Sequence, residues 1–331
     1  MTSEEEDDLG IKPEAVISAG KGNYVVDCLL GEGGFGAVYK VHLESNPRKF
    51  FAMKVEKKLE TRKDSKLKME IAILKAVAEK KQPKKPTHFT EIIDRAKKDT
   101  FTLIVMQLVG KSLADLKASC PSKVFSTSTG LGVGSQCLQA VEELHGAKFV
   151  HRDIKPANYA VGLEEKSHTV YILDFGIARR FVKSDGELKT PREGIGFKGT
   201  VRFASLACHR NFDVGPIDDV ESWFYLLIDI LIPKGLPWKK LSDKHDVRKA
   251  KEEFRSKGTF LSTFPDIKYK MELLKIFEYI QQTQYCESVD YNYIYKMLEL
   301  AAKISNVPID AAFEWENAKS KESSVSQISK E

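Results

Sequence analysis

The stretch HRDIKPAN at residues 151–158 places a carboxylate, a cation and a carboxamide at intervals of two and three along one loop-like segment. Each of these side chains suits the transfer of a phosphoryl group. Asp153 can accept or orient the proton of an acceptor hydroxyl, Lys155 can neutralise charge on a phosphate, and Asn158 can offer a hard oxygen to Mg²⁺. The stretch therefore predicts a catalytic loop for phosphoryl transfer.

A second short motif begins sixteen positions beyond Asn158, where Asp174-Phe175-Gly176 follows the strand-like apolar run at 170–173. The carboxylate of Asp174 is a candidate for a second ligand to Mg²⁺. Either tripeptide, HRD or DFG, could occur alone by chance. Their order and spacing, together with two further elements nearer the N-terminus, are not adequately explained by chance.

A glycine cluster lies near the N-terminus, where residues 31–38, GEGGFGAV, match the pattern G-x-G-x-x-G-x-V. Such glycines let backbone amides approach phosphates without hindrance from a Cβ atom; here they are Gly31, Gly33, Gly34 and Gly36. A dinucleotide-binding loop would open a helix, whereas the continuation at 37–41 is strand-like and favours a glycine-rich hairpin. Taken alone the match is weak, because a glycine-rich surface turn gives the same pattern.

Lys54 is the candidate cation for nucleotide phosphates. In the strand-like run at 49–55 the two-residue period puts Ala52 and Lys54 on one face, and the small alanine leaves room for a flat base. A lone strand lysine is more often a solvated edge residue. Glu70 argues against that interpretation, because it interrupts the apolar stripe of a helix predicted at 64–80. A carboxylate facing the core needs a cationic partner such as Lys54.

The order of the predicted elements indicates the α+β class, with a small β-rich lobe followed by a larger helical lobe. The predicted elements are strands at 24–30, 37–43, 49–55, 88–94 and 101–108 and helices at 64–80, 126–146, 219–232, 267–282 and 289–303. We expect an acidic disordered arm (1–20), an N-lobe of antiparallel sheet with one main helix (21–109), a mostly helical C-lobe (110–316) and a serine-rich disordered tail (317–331).

Composition excludes several other classes. The 331 residues include 52 Lys and Arg and 47 Asp and Glu, a formal net charge of +5, and 42% are hydrophobic, which is typical of a globular protein. No apolar run reaches the ~20 residues of a membrane span, and the acidic N-terminus does not resemble a secretory signal. Five scattered cysteines indicate reduced thiols. We therefore expect an intracellular, cytoplasmic protein without a membrane partner. We also expect a monomer.

Two basic features leave alternatives open. The run KKQPKKP at 80–86 could direct the protein to the nucleus as well, although its place between a helix and a strand favours a solvated turn. The net positive charge could attract nucleic acid, but the sequence has no recognition motif for it. We therefore expect no specific nucleic acid partner.

Together these motifs resemble the signature of the eukaryotic protein kinases over residues 21–316. Within that superfamily the chain is similar to casein kinase 1, and most closely to its tau-tubulin kinase branch. The features that carry this similarity are GTVRFAS at 199–205, DDVES at 218–222, LPW at 236–238 and FEWE at 313–316. The first of them stands where most kinases have an A-P-E motif, so the glutamate–arginine brace of most kinases is not expected.

The resemblance implies a two-lobed serine/threonine kinase that uses ATP and Mg²⁺ and acts on protein substrates. Lys155, two residues after Asp153, suits phosphorylation of serine and threonine, and Thr200 is placed to hydrogen-bond both side chains. The adenine would be held by the gatekeeper Met106, the backbone of Gln107 and Val109, and the side chains of Leu30, Val38, Ala52 and Ala160. The alanine at position 160 follows the tau-tubulin kinase pattern. Casein kinase 1-like enzymes generally need no phosphate on the activation segment.

The resemblance also implies a substrate preference. Arg202 matches the family's basic residue in the activation segment, and Lys240 and Lys249 follow Trp238 at the family's spacing. They would bind an acidic or already phosphorylated residue of the substrate. Solvated lysines on a helix face are an equally good interpretation of the last two. A further alternative is an inactive pseudokinase that binds partners, although the sequence has every residue expected for catalysis.

Overall fold

The computed structural model describes residues 10–33, 36–58, 65–80 and 87–316. The chain divides into two compact units, the first formed by Met1–Gly110 with Leu173–Gly176 and the second by Lys111–Ile172 with Ile177–Glu331. Several residues that the sequence analysis singles out lie outside the described ranges. They are residues 1–9 of the acidic arm, Gly34, residues 81–86 of the basic run and the serine-rich tail at 317–331. In the part of the chain that the structure describes, no helix is long and apolar enough to cross a membrane.

An antiparallel six-stranded sheet forms most of the first unit, with its strands in the order β1-β2-β3-β4-β6-β5. The strands are β1 (Val16–Ser18), β2 (Asn23–Gly33), β3 (Gly36–Leu43), β4 (Asn46–Lys57), β5 (Ile92–Lys97) and β6 (Phe101–Gln107). Helix α1 (Lys66–Lys80) belongs to the same unit. This is the antiparallel lobe with one main helix that the sequence predicts.

The alternation of side chains along β4 builds the two faces of this sheet. The odd-numbered residues from 51 to 55 are buried in an apolar cluster on one face. Ala52 lies on the other face and packs with Leu67 of α1 and Met106 of β6. Because successive strand residues alternate, Lys54 shares the face of Ala52. The strand therefore directs Lys54 to the face on which α1 packs.

Two details of this unit differ from the prediction. Val16–Ser18 is not part of a disordered arm, because it pairs with β2 and buries its central isoleucine against the sheet. The strand predicted at 88–94 runs instead from Ile92 to Lys97. The aromatic residue before it, Phe89, is buried by stacking on Phe175, with ring centroids 5.6 Å apart, rather than by pairing in the sheet.

The second unit is mainly helical. Its helices are α2 (Leu113–Ser119), α3 (Thr127–Gly146), α4 (Leu206–His209), α5 (Pro216–Leu231), α6 (Lys244–Phe254), α7 (Lys257–Thr263), α8 (Lys270–Gln282) and α9 (Tyr291–Ile304). Helices α3 and α5 pack closely because Gly130 and Gly134 face leucines of α5. A Cβ atom at either glycine would lie 2.4 Å from a leucine Cδ1. The two units together confirm the predicted α+β fold class.

Two helices of this unit differ from the prediction because of polar residues. Helix α5 begins three residues earlier than predicted, because Pro216 suits the first turn and Asp218 Oδ2 accepts a hydrogen bond from the backbone N–H of Gly215 (2.8 Å). Helix α6 was not predicted, because it buries just three side chains and one of these is Lys251.

Short strands hold the loop at 151–158 at both ends. Strand β7 (Phe149–Val150) precedes it and β8 (Tyr159–Val161) follows it. The first pairs with β10 (Arg179–Arg180) and the second with β9 (Val170–Ile172), so each end of the loop is tied to another segment. The side chains on the loop therefore rest on a fixed backbone.

Candidate active site

In the first unit, Lys54 and Glu70 form a partly buried ion pair. Lys54 Nζ donates to Glu70 Oε2 over 2.6 Å and lies 3.4 Å from Asp174 Oδ1, and Glu70 is 4% exposed. Burial opposes the charge on Lys54, but the two carboxylates outweigh it and raise the pKa of the lysine. The contact predicted between strand and helix is present, and it holds an ammonium group in a fixed position.

Asp174 combines an anchored backbone with an accessible carboxylate. Its backbone is left-handed, with φ at 61°, and Gly176 N–H donates to Asp174 Oδ1 over 3.3 Å. The neighbouring Phe175 is buried through its stacking on Phe89. The side chain of Asp174 is nevertheless 56% exposed. An exposed carboxylate on a fixed backbone suits a metal ligand.

The glycines of the predicted phosphate loop serve different purposes. At Gly31 and Gly33, at the end of β2, no described atom lies within 4 Å of the place where a Cβ atom would stand. The packing of the described residues does not require these glycines, so their missing side chains leave space for a ligand. Gly36 has φ at 145°, and a Cβ atom there would lie 1.9 Å from the carbonyl oxygen of Val55. The fold itself therefore requires glycine at this position.

Three of the residues expected to hold an adenine ring, Val38, Ala52 and Met106, share one face of the sheet. Val38 pairs opposite Lys54, and Met106 pairs opposite Ala52. At Gln107 the backbone N–H already donates to a carbonyl oxygen before β5 (3.0 Å), so its own carbonyl is the group that it can offer. The remaining expected contacts are Leu30, half exposed; Val109, partly buried beyond the end of β6; and Ala160, buried in β8 of the second unit.

In the second unit, Asp153 lies at the centre of a hydrogen-bonded group. Lys155 Nζ donates to Asp153 Oδ2 (2.7 Å) and to Thr200 Oγ1 (2.9 Å), and Thr200 Oγ1 donates to Asp153 Oδ1 (2.7 Å). Asn158 Nδ2 donates to the carbonyl oxygen of Asp153 (2.8 Å) and to its Oδ2 (3.2 Å). The structure thus brings all four side chains together. Because the Asn158 nitrogen is used in this way, its oxygen is the atom that it can offer to a cation.

Asp219, buried in α5, fixes the backbone of the catalytic loop. Its Oδ2 accepts from the N–H of His151 (2.6 Å), its Oδ1 accepts from the N–H of Arg152 (2.9 Å), and His145 Nε2 lies 3.0 Å from Oδ2. Burial alone would raise the pKa of Asp219, but His145 and these hydrogen bonds lower it below its ordinary value. The resulting carboxylate holds Arg152 in a left-handed conformation, with φ at 70°.

Glu221 supplies a glutamate–arginine brace that the missing A-P-E motif did not lead us to expect. Its Oε1 accepts from Arg255 Nη2 (2.8 Å), from the N–H of Leu206 (3.1 Å) and from the hydroxyl of Tyr225 (2.5 Å). The buried carboxylate thereby joins α5 to the start of α4 and the end of α6. An acidic residue within the apolar sequence of α5 is the signal that could have indicated this brace.

Asp213 binds two arginines of residues 177–204, the activation segment. Arg179 Nη1 donates to both carboxylate oxygens, and Arg192 Nε donates to Oδ2 over 3.2 Å. The N–H of Asp213 also donates to the carbonyl oxygen of Arg192 (2.9 Å). The Asp213 side chain is fully buried; burial raises its pKa, but the two guanidinium groups lower it below the ordinary value. One carboxylate therefore joins the start and the middle of the segment.

Two of the three predicted anion-binding residues lie near each other. Arg202 is exposed, and its Nη2 donates to the carbonyl oxygen of Lys239 (2.9 Å). Lys240 is the next residue in the chain and is exposed, whereas Lys249 is exposed on a different element, α6. The structure therefore places Arg202 beside the segment that carries Lys240.

The antiparallel sheet with its paired lysine, the helical second unit and the hydrogen-bonded catalytic loop are features of protein kinases. Comparison with known sequences agrees, because a model of the protein kinase domain family matches residues 24–256. The chain belongs to the protein kinase family.

Individual relatives carry serine/threonine kinase names. The chain is 33% identical to a probable serine/threonine-protein kinase of Dictyostelium discoideum over 266 residues, 80% of this chain and 52% of the relative. It is 37% identical to a putative serine/threonine-protein kinase of Caenorhabditis elegans over 212 residues, 64% of each protein. A putative casein kinase I of Caenorhabditis elegans is 32% identical over 229 residues, 69% of this chain and 65% of the relative. The chain spans about half to two thirds of the length of these relatives.

Proposed function

We propose that the protein is a casein kinase 1-like enzyme that transfers the γ-phosphate of ATP to serine and threonine hydroxyls of proteins. The observation that carries this proposal is Asp153, whose carboxylate is held by Lys155, Thr200 and Asn158. Family membership supports the use of ATP and a divalent metal ion. The names of the relatives support serine and threonine as acceptors.

The first unit supplies groups that suit a nucleotide. The ammonium of Lys54, fixed in its ion pair, would bind the α- and β-phosphates, and the backbone amides at Gly31 and Gly33 would approach a phosphate chain without hindrance from a Cβ atom. Asp174 of this unit, and Asn158 of the second unit, each offer an oxygen, the ligand type that Mg²⁺ prefers, and Mg²⁺ held by such oxygens would neutralise charge on the phosphates. We assign the adenine to the residues expected from the sequence, namely Leu30, Val38, Ala52, Met106, Gln107, Val109 and Ala160.

The second unit supplies groups that suit the acceptor hydroxyl. Asp153 accepts a hydrogen bond from this hydroxyl and orients its oxygen for in-line attack on the γ-phosphorus. As the new O–P bond forms and the bond to the β-phosphate oxygen breaks, the hydroxyl proton passes to Asp153. Lys155 neutralises charge on the transferred group. Thr200 keeps Asp153 and Lys155 in a fixed arrangement, which lowers the entropy lost in the transition state.

Transfer of labelled phosphate from ATP in the presence of Mg²⁺ tests this proposal directly. We expect the protein to label peptides that contain serine or threonine and to leave matched peptides with tyrosine unlabelled. Labelling of tyrosine would contradict the assignment to serine and threonine. Nucleotide binding without any transfer would support the inactive, partner-binding alternative instead.

We further propose that the substrates are acidic or already phosphorylated and that the chain belongs to the tau-tubulin kinase branch. Arg202 and Lys240 present neighbouring positive charges, to which Lys249 would add a third. The similarity to a putative casein kinase I supports the wider family, and Ala160 favours the branch. All five cysteines are free, which supports a reducing compartment such as the cytoplasm. A monomeric state stays a prediction.

Replacing Arg202 by alanine is expected to lower kcat/KM about tenfold for a peptide with an acidic or phosphorylated residue near the acceptor, because a charge-assisted hydrogen bond is lost. The value for a neutral peptide should change little. The measurement is the ratio of the two kcat/KM values, with Arg95→Ala on the exposed side of β5 as the control. An unchanged ratio in the Arg202→Ala variant would show that Arg202 does not bind the substrate anion.

A further inference from the structure

Lys251 of α6 is fully buried, which is rare for a lysine. Its Nζ donates to the carbonyl oxygens of Val201 (3.0 Å) and Ala204 (2.5 Å) and lies 3.1 Å from His209 Nε2. Both carbonyl oxygens belong to the activation segment. A buried lysine whose hydrogen bonds go to backbone oxygens fixes the position of that backbone.

The surroundings of Lys251 sustain these two hydrogen bonds whether or not the nitrogen is charged. The rings of Tyr225 and Trp238 lie 4.9 and 5.3 Å from Nζ and favour the ammonium form. Burial lowers the pKa of Lys251 to about 7, and the carboxylate of Glu221 acts in the opposite direction. Burial and the nearby Lys251 lower the pKa of His209 to about 4. A neutral amine still has two hydrogens, one for each carbonyl oxygen.

The carbonyl groups that Lys251 holds belong to a turn over residues 200–204. Between them, the carbonyl oxygen of Arg202 accepts from Trp238 Nε1 (2.8 Å). Inside the turn, the N–H groups of residues 203 and 204 both donate to the carbonyl oxygen of Thr200 (2.9 Å each). The turn is therefore held from outside by buried side chains and is closed internally on Thr200.

We propose that Lys251 is a positioning residue for the acceptor site and that it acts through Thr200. This inference rests on the proposed function, in which Asp153 orients the acceptor hydroxyl. Lys251 attaches the 200–204 turn to α6, and Thr200 Oγ1 attaches the same turn to Asp153 over 2.7 Å. A displaced turn moves Thr200 away from Asp153, and a misplacement of about 1 Å can lower a catalytic rate about 100-fold.

The variant Lys251→Met tests this inference, because methionine keeps an unbranched chain and loses the donors. We expect kcat for a serine peptide to fall about 10- to 100-fold. The Kd for ATP should stay within about twofold of wild type, since the lysine that binds the phosphates lies in the other unit. Lys257→Met, the same change at an exposed lysine of α7, is the matched control and should keep the wild-type kcat.

A double-mutant cycle with Thr200→Val separates positioning from a general loss of structure. If Lys251 acts through Thr200, adding Lys251→Met to the Thr200→Val variant should lower kcat by less than about twofold. If the decreases in kcat caused by Lys251→Met and Thr200→Val multiply in the double variant, the two residues act independently and the inference is wrong. A wild-type protein that transfers no phosphate would instead contradict the proposed function, whereas wild-type rates in the Lys251→Met variant would contradict this inference alone.

A second variant keeps the test valid if Lys251→Met does not fold. Trp238→Phe removes the donor to Arg202 and keeps an aromatic ring in the core. We expect a fall in kcat of about tenfold and faster hydrogen exchange of the amides at 200–204, again with the Kd for ATP unchanged. If Trp238→Phe keeps the wild-type kcat and exchange rates, the turn does not control the acceptor site and the inference is wrong.

Discussion

Replacing Asp153 by asparagine is expected to lower kcat for phosphate transfer about 1,000-fold, within the range attributed to a general base. Asparagine has nearly the same shape, and its oxygen can still accept a hydrogen bond from Lys155 or Thr200. An amide cannot take up the proton of the acceptor hydroxyl, however, so the loss falls on the chemical step. The measurements are the rate of transfer to a serine peptide and the Kd for ATP with Mg²⁺, which should stay within about twofold of wild type.

The control for this variant is Asp266→Asn, the same change at an exposed aspartate between α7 and α8. It should keep the wild-type kcat and the wild-type Kd for ATP. If Asp153→Asn kept more than about a tenth of the wild-type kcat, Asp153 would not act on the acceptor hydroxyl. A large rise in the Kd for ATP would show instead that the substitution disturbs the nucleotide-binding residues.

The functional groups that lie close together in the chain are the ones that the sequence predicts well. Asp153, Lys155 and Asn158 lie within a span of six residues on one loop, and the structure places them within hydrogen-bonding distance. The pair of Lys54 and Glu70 is also predictable, because a carboxylate in an apolar helix stripe requires a cation. In both cases the local sequence leaves few alternative partners.

Partners that depend on the tertiary structure could not be predicted in this way. Glu221 and Arg255 are 34 residues apart, and no local pattern selects this arginine from the others in the chain. Helix α6 was missed because Lys251 occupies a core position between the apolar residues Val247 and Phe254. Strand β1 was missed because three residues are too few to show alternation. Each of these features becomes visible once the packed neighbours are known.

Asp213 gives a physical reason why the activation segment should need no phosphate. A phosphate group on such a segment acts by pairing with arginines and ordering the chain around them. Here Arg179 and Arg192 already share the buried carboxylate of Asp213, and the backbone N–H of Asp213 donates to the carbonyl oxygen of Arg192. A carboxylate within the chain is always present, unlike a phosphate. We therefore expect the segment to be ordered, and the protein active, without modification.

The variant Asp213→Asn should destabilise the protein by about 3 kcal/mol, at the low end for a broken buried ion pair because Arg192 is half exposed. It should also lower kcat at least about tenfold and speed hydrogen exchange of the amides at 188–200. Asp266→Asn is again the control. Asparagine keeps the side-chain volume and one acceptor oxygen. The losses of stability and of kcat therefore report the removal of the negative charge of Asp213.

Treatment with a phosphatase completes the argument for Asp213. The treated wild-type protein should keep its full kcat, because the arginines bind a carboxylate that a phosphatase cannot remove. A wild-type protein inactivated by the phosphatase would show that a phosphate, and not Asp213, orders the segment. An Asp213→Asn variant with the wild-type kcat would show that the two arginines need no anion at all. The Asp213 carboxylate replaces a phosphate only if both results are found together: a wild-type protein that keeps its kcat after phosphatase treatment, and an Asp213→Asn variant with a lowered kcat.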